Sequence, residues 1–203
     1  MLPKYIQQNR LYNNYWMRNF NSVLLLVGLL IWSSQSAYTL AVVGPFSPSA
    51  FKCLALNVPG SVYNVIIRAY QNSQSPAGID PNAFSTLVNA FTAGFSADLY
   101  VEICRGGNAT SQINLVEGEL VSSQGDPYAV FNGMFYIKVQ PSINLQCSWE
   151  SYSHSDNCNY LKEAVGAVRN LGSLWNPNII TTAHIWQQFF GNSCDTFATD
   201  TSS

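Results

Sequence analysis

The chain has 203 residues, 47% of them hydrophobic and 10% charged, with a formal net charge of −2. That is enough for one domain with a sizeable core. Nine basic residues against eleven acids, with no basic cluster, argue against a nucleic-acid partner, since phosphate neutralisation needs grouped Lys and Arg.

From the amino end, Val23–Trp32 (VLLLVGLLIW) is an apolar run too short to span a bilayer comfortably and suited to a signal-peptide core. Arg18 precedes it, and Ser34, Ser36 and Ala37 supply a small-residue cleavage region. Residues 1–37 therefore read as a signal peptide, with Met17 an alternative start. No second apolar segment of membrane length follows, so no stable membrane anchor is expected. The destination is the extracellular medium or a digestive vacuole.

Residues 38–194 read as one domain of alternating strands and helices. Leu40–Val43 is a short apolar strand, and Ser47 caps a helical segment holding Phe51, Leu54 and Leu56. Val62–Tyr70 (VYNVIIRAY) is rich in β-branched and aromatic residues. A turn through Ser75–Gly78 leads to a helix over Pro81–Ala93, stopped by Gly94. Ala97–Cys104 is a strand, Gln112–Ser122 a helix and Met134–Gln140 a strand. Asn157–Leu171 is a helix closed by Gly172, Asn178–Thr182 a strand, and Ala183–Phe190 a helix ended by Gly191. The stretch 195–203 is a polar tail.

Repeated strand–helix alternation implies parallel strands with crossover helices, either a doubly wound sheet or a (β/α) barrel. No GxGxxG follows the first strand, so a dinucleotide fold loses support and no cofactor is implied. In either architecture the working residues sit at the carboxyl ends of the strands.

Cys53, Cys104, Cys147, Cys158 and Cys194 suggest disulfides in a secreted chain, with one thiol left over. There is no CxxC pair, and His154 and His184 lie far apart without HExxH, so no metal site is expected. Asn108-Ala109-Thr110 is a glycosylation sequon.

Six collinear pieces carry a resemblance: SAFKCL (Ser49–Leu54), NVIIRAYQNSQSPAGIDPNA (Asn64–Ala83), AFTAGFSADLYVEIC (Ala90–Cys104), NGMFYIKVQ (Asn132–Gln140), NCNYLKEAV (Asn157–Val165) and WQQFFGNSC (Trp186–Cys194). Together they resemble the secreted lysozyme-like proteins of glycoside hydrolase family 25, in the form found in protists and nematodes. The resemblance implies a distorted barrel of five βα units and three closing strands, and cleavage of the sugar chain of peptidoglycan by carboxylates at strand ends. Those carboxylates are an Asp on the first strand, an Asp-x-Glu at the end of the fourth βα strand, and a late-strand acid.

Carried over residue by residue, the acid positions fall on Ala41, Lys138 and Gln140, and the last falls beyond Ser203. The expected fold is thus an incomplete TIM-like barrel, its first and fifth strands open to pairing with another chain. Glycosidic cleavage needs a proton donor and a carboxylate or activated substrate group. Gln140 supplies neither, and Lys138 places positive charge where positive charge develops in the transition state. Among other pairs, Asp98 and Glu102 share strand parity but stand about 13 Å apart at 3.3 Å per residue, beyond the roughly 5–9.5 Å of such pairs; Glu117 and Glu119 point in different directions on a helix; Glu150 and Asp156 could approach the mouth from a loop, but nothing in the sequence holds them there. Lys138 in a crowded strand end needs an anion or water, and Glu102 on the neighbouring strand is the expected partner, with Asp98 deeper.

Candidate groove residues are Arg68, Tyr100, Glu102 and Trp149, the aromatic faces suited to sugar rings, while Phe135 is assigned to the core. Three functions remain open. One is a secreted, catalytically impaired lysozyme-like protein that binds peptidoglycan or a related glycan in antibacterial defence or digestion. The others are an active muramidase with relocated or missing acids, and a partner-binding protein that keeps only the fold.

Overall fold

A computed structural model describes residues 38–57, 62–73, 76–124 and 130–194; the stretch 1–37, read above as a signal peptide, and the stretch 195–203, read as a polar tail, lie outside them. The strands are β1 (Tyr38–Val42), β2 (Val62–Gln71), β3 (Gly78–Ile79), β4 (Ser96–Glu102), β5 (Met134–Lys138) and β6 (Asn176–Ile180). The helices are α1 (Pro48–Asn57), α2 (Ala83–Thr92), α3 (Ala109–Gln124), α4 (His154–Asn170) and α5 (Ala183–Phe190).

Period-two alternation in the strands divides the molecule into two faces. On β2, Val65, Ile67 and Ala69 enter the main core; on β4, Ala97, Leu99, Val101 and Ile103; on β5 and beyond, Phe135, Ile137 and Val139. Phe51 of α1, Leu87 of α2, Ile113 and Val116 of α3, Leu161 and Val165 of α4, and Phe189 and Phe190 of α5 meet them there. The other strand face holds a separate small cluster of Ile66, Tyr100 and Tyr136, flanked by Met134 and Ile180, with no helix residue in it. All five described helices therefore cover one face.

Strand order explains this one-sidedness. The sheet runs β1-β2-β4-β5-β6, all parallel, and two-residue β3 pairs antiparallel to β2. Each crossover adds the next strand on the same side, and right-handed crossovers then put every helix on the same face. A doubly wound sheet reverses direction partway and covers both faces, so that alternative fails. The result is a mixed α/β fold whose described edges are β1 and β6.

Boundaries moved where capping, rather than apolar periodicity, sets them. Ser47 Oγ accepts from Ala50 N, as expected for α1. Helix α4 begins three residues before its apolar stripe because Ser153 Oγ accepts from Asp156 N. Helix α3 likewise starts in the sequon, where Asn108 Oδ1 accepts from Ser111 N at 2.7 Å. Strand β3 has no counterpart in the periodicity, being two residues long. The disulfides are Cys104–Cys147 and Cys158–Cys194, and the leftover thiol is exposed Cys53.

Candidate functional site at the carboxyl ends of the strands

The face without helices carries the side chains that parity directs away from the core. Asn64, Ile66 and Arg68 come from β2, Asp98, Tyr100 and Glu102 from β4, and Met134, Tyr136 and Lys138 from β5. Parallel register sets them abreast: Tyr100 opposite Tyr136, and Glu102 opposite Lys138.

At the amino end of this face Asp98 is fully buried. Its Oδ2 accepts from Asn64 Nδ2 at 2.6 Å and its Oδ1 from Met134 N at 3.0 Å, so it ties β2, β4 and β5 together. Burial raises its carboxyl above the ordinary range, against hydrogen bonds that pull the other way. The middle is aromatic. Burial also raises the Tyr100 and Tyr136 phenols, with the nearby charge of Glu102 adding to the first and Asp98 to the second.

At the carboxyl end lies a row of four charges. Arg68 donates from Nε to Asp80 Oδ2 at 2.9 Å, and its Nη2 is 2.8 Å from the same oxygen. Its Nη1 is 3.9 Å from Glu102 Oε2, and Lys138 Nζ reaches Glu102 Oε1 at 3.3 Å. The expected Lys138–Glu102 pair is present. Lys138 Nζ also stands 5.2 Å from the centre of the Tyr100 ring. Asp80 and Glu102 are 3% and 4% exposed, so each carboxylate is nearly buried and each faces a cation.

Of the residues proposed for a groove, Arg68, Tyr100 and Glu102 come together here. Tyr100 is buried beneath Lys138 rather than offering an open ring. Trp149 does not join them. It is fully buried on the helix side, stacked on Phe189 at 6.2 Å and edge-on to Tyr160 and Phe190 at 5.7 and 5.6 Å. The physical reason is the Cys104–Cys147 bridge, which pulls the chain after β5 back toward α4 and α5. Ala41 is exposed on edge strand β1, and Gln140 lies half-buried past the end of β5. Sequence reasoning missed Asp80, which reaches the row only through the β3 pairing and the bond from Asp80 N to Ala69 O at 3.0 Å. The only local signal was an acid in the turn before α2, where Asp80 Oδ1 accepts from Asn82 N.

Among the described residues no group of three or more His, Cys, Asp and Glu is placed to hold a metal ion, and no helix is long and apolar enough to cross a membrane. What the row can do is present fixed, balanced charge and hydrogen-bond groups at the strand ends.

This is the arrangement of a mixed α/β protein with its polar groups at the carboxyl edge of a parallel sheet. Residues 33–201 match the family described as lysozyme-like protein 1, and the chain belongs to that family. A search of curated proteins and a search of solved structures each returned no match. Family and two disulfides together are consistent with a secreted protein.

Proposed function

We propose that the protein is a secreted, muramidase-related protein of the glycoside hydrolase family 25 type that has lost hydrolysis and retains binding to peptidoglycan or a related glycan, in antibacterial defence or digestion. One observation carries the reading. At the strand end where the resemblance calls for Asp-x-Glu stands Lys138-Val139-Gln140, and Lys138 is paired to Glu102, itself facing Arg68. Neither carboxylate of the row is free of a cation, and a glycosidase needs one carboxyl able to give a proton and another to meet the developing charge. One-sided helices and sequential strand order support a partial barrel with β1 and β6 as open edges, where pairing with another chain would occur.

The test is reducing-end release from insoluble peptidoglycan by protein purified from a secreting host, with co-sedimentation measured on the same preparation. Sedimentation without release is the expected result. Release above a no-protein control overturns the loss of catalysis, and failure to sediment favours the partner-binding alternative.

A further inference from the structure

A second polar constellation lies on the helix side, in a hollow of about 410 Å³ lined by Arg105, Tyr152, Asp156, Asn159, Tyr160 and Glu163. Arg105 is held there firmly. Its guanidinium carbon stands 3.8 Å from the centre of the Tyr152 ring and 4.5 Å from that of Tyr160. Its Nε donates to Asn157 Oδ1 at 3.0 Å, and Asn157 is buried, its Nδ2 fixed by Trp149 O and Phe189 O, each at 3.0 Å. Tyr160 is fixed in turn, donating to Cys104 O and accepting from Gln112 Nε2 at 2.9 Å. On one side of Arg105 is the Cys104–Cys147 disulfide. On the other is Gly106, where a Cβ would meet Gln146 O at 2.0 Å, so only glycine admits this approach.

The guanidinium is thus oriented through its faces and its Nε, while its two terminal nitrogens have no hydrogen bond or ion pair among the described residues. The acids are similar. Asp156 and Glu163 project from one face of α4, two turns apart, with Tyr160 between them. Asp156 Oδ2 accepts from Ser153 Oγ, and Glu163 Oε1 from Thr110 Oγ1 at 3.4 Å, but neither forms a salt bridge among the described residues. Opposite charges therefore line one hollow without closing on each other. Held by its Nε and against two rings, Arg105 is paired to neither acid among the described residues, and the hollow between them is open. With one cation and two acids, the hollow disfavours a simple anion and suits a group carrying both signs.

We propose that this hollow binds an amino-acid zwitterion, its carboxylate on the Arg105 fork and its ammonium on Asp156 and Glu163. A bidentate carboxylate–guanidinium contact is among the stronger charge-assisted hydrogen bonds. In peptidoglycan that chemistry belongs to a diamino-acid residue of the stem peptide; this identification, unlike the zwitterion chemistry itself, rests on the function proposed above.

Titration calorimetry of the mature chain tests it with a synthetic tripeptide ending in a diamino-dicarboxylic acid. Two controls have that residue's amine acetylated or its carboxyl amidated. The intact peptide should bind at least about tenfold more tightly than either control. Arg105→Gln should erase the preference for the free carboxyl, and Asp156→Asn with Glu163→Gln, on an exposed helix face that does not endanger folding, the preference for the free amine. Equal affinity for all three peptides overturns the proposal, as does no binding at millimolar concentration. Co-sedimentation with peptidoglycan separates this from the broader reading. Sedimentation with no peptide binding removes the zwitterion site alone, and peptide binding without sedimentation removes the glycan reading alone.

Discussion

Replacing Lys138 by Met isolates what the ionic row contributes. Met keeps most of the aliphatic stem and deletes the ammonium that stands over the Tyr100 ring. At 3.3 Å the Lys138–Glu102 attraction is about 5 kcal/mol with an effective dielectric near 20. Ordering the Lys side chain and desolvating the carboxylate offset much of that. Lys138's side chain is 29% exposed and Glu102's only 6%, so the pair falls between exposed pairs at about 0–1 kcal/mol and breaking buried ones at about 3–5. The expected cost of Lys138→Met is about 2 kcal/mol, with Arg68 at 3.9 Å left as Glu102's remaining cation. Urea unfolding of Lys138→Met, Glu102→Gln and the double variant completes a cycle with an expected coupling of about 1–2 kcal/mol, reduced but not abolished in high salt. Coupling below about 0.5 kcal/mol refutes the reasoning and makes Lys138 a solvated lysine.

Asp98 gives a pH signature. Its carboxyl is raised in the folded state, so the proton it holds stabilises the fold at acid pH, and that contribution is lost as pH rises through the folded value. Urea midpoints from pH 4 to 7 should therefore show the wild type losing ground to Asp98→Asn as pH rises, and parallel curves would count against it. Asn64 Oδ1 has no partner among the described residues, so a flip of the Asn64 amide can receive the new amide at position 98 and keep the variant within about 1 kcal/mol of wild type near pH 4. Removing the Cys104–Cys147 bridge with paired Ser should cost about 2–4 kcal/mol, from the 43-residue separation it closes, measured by thermal unfolding. Trp149→Ala should cost about 3–5 kcal/mol, but Trp149→Phe considerably less, because the buried indole Nε1 has no partner to lose among the described residues; denaturant curves of the two decide, and equal losses would contradict the core placement.

The fold was legible wherever burial wrote a period into the chain. Val65, Ile67 and Ala69, or Phe135, Ile137 and Val139, fix their strands and faces from alternation alone, and the Lys138–Glu102 pair followed from parity and neighbouring strands. Choosing between a doubly wound and a one-sided sheet was beyond periodicity, because both use the same elements and differ only in strand order. Trp149 was misplaced for a related reason: its position depends on a disulfide across 43 residues, and five cysteines permit several pairings. Asp80 and Arg105 escaped notice because their neighbours come from distant segments. A two-residue strand brings in the first, and Tyr152, Asn157 and Tyr160 frame the second.

The row at the strand ends also shows what a lysine at position 138 does for the charge balance of the open face. Register puts residue 138 directly opposite Glu102. An acid there would add a third carboxylate to the nearly buried Asp80 and Glu102, with Arg68 alone to balance them. Like charges in such a setting cannot all ionise cheaply, and a hydrolase exploits that by holding one carboxyl protonated. With Lys138 the row holds two cations and two anions, each carboxylate within 4 Å of a cation. The pairing thus ties the strand ends together, and it leaves Glu102, on the open face, engaged by two cations, Lys138 and Arg68.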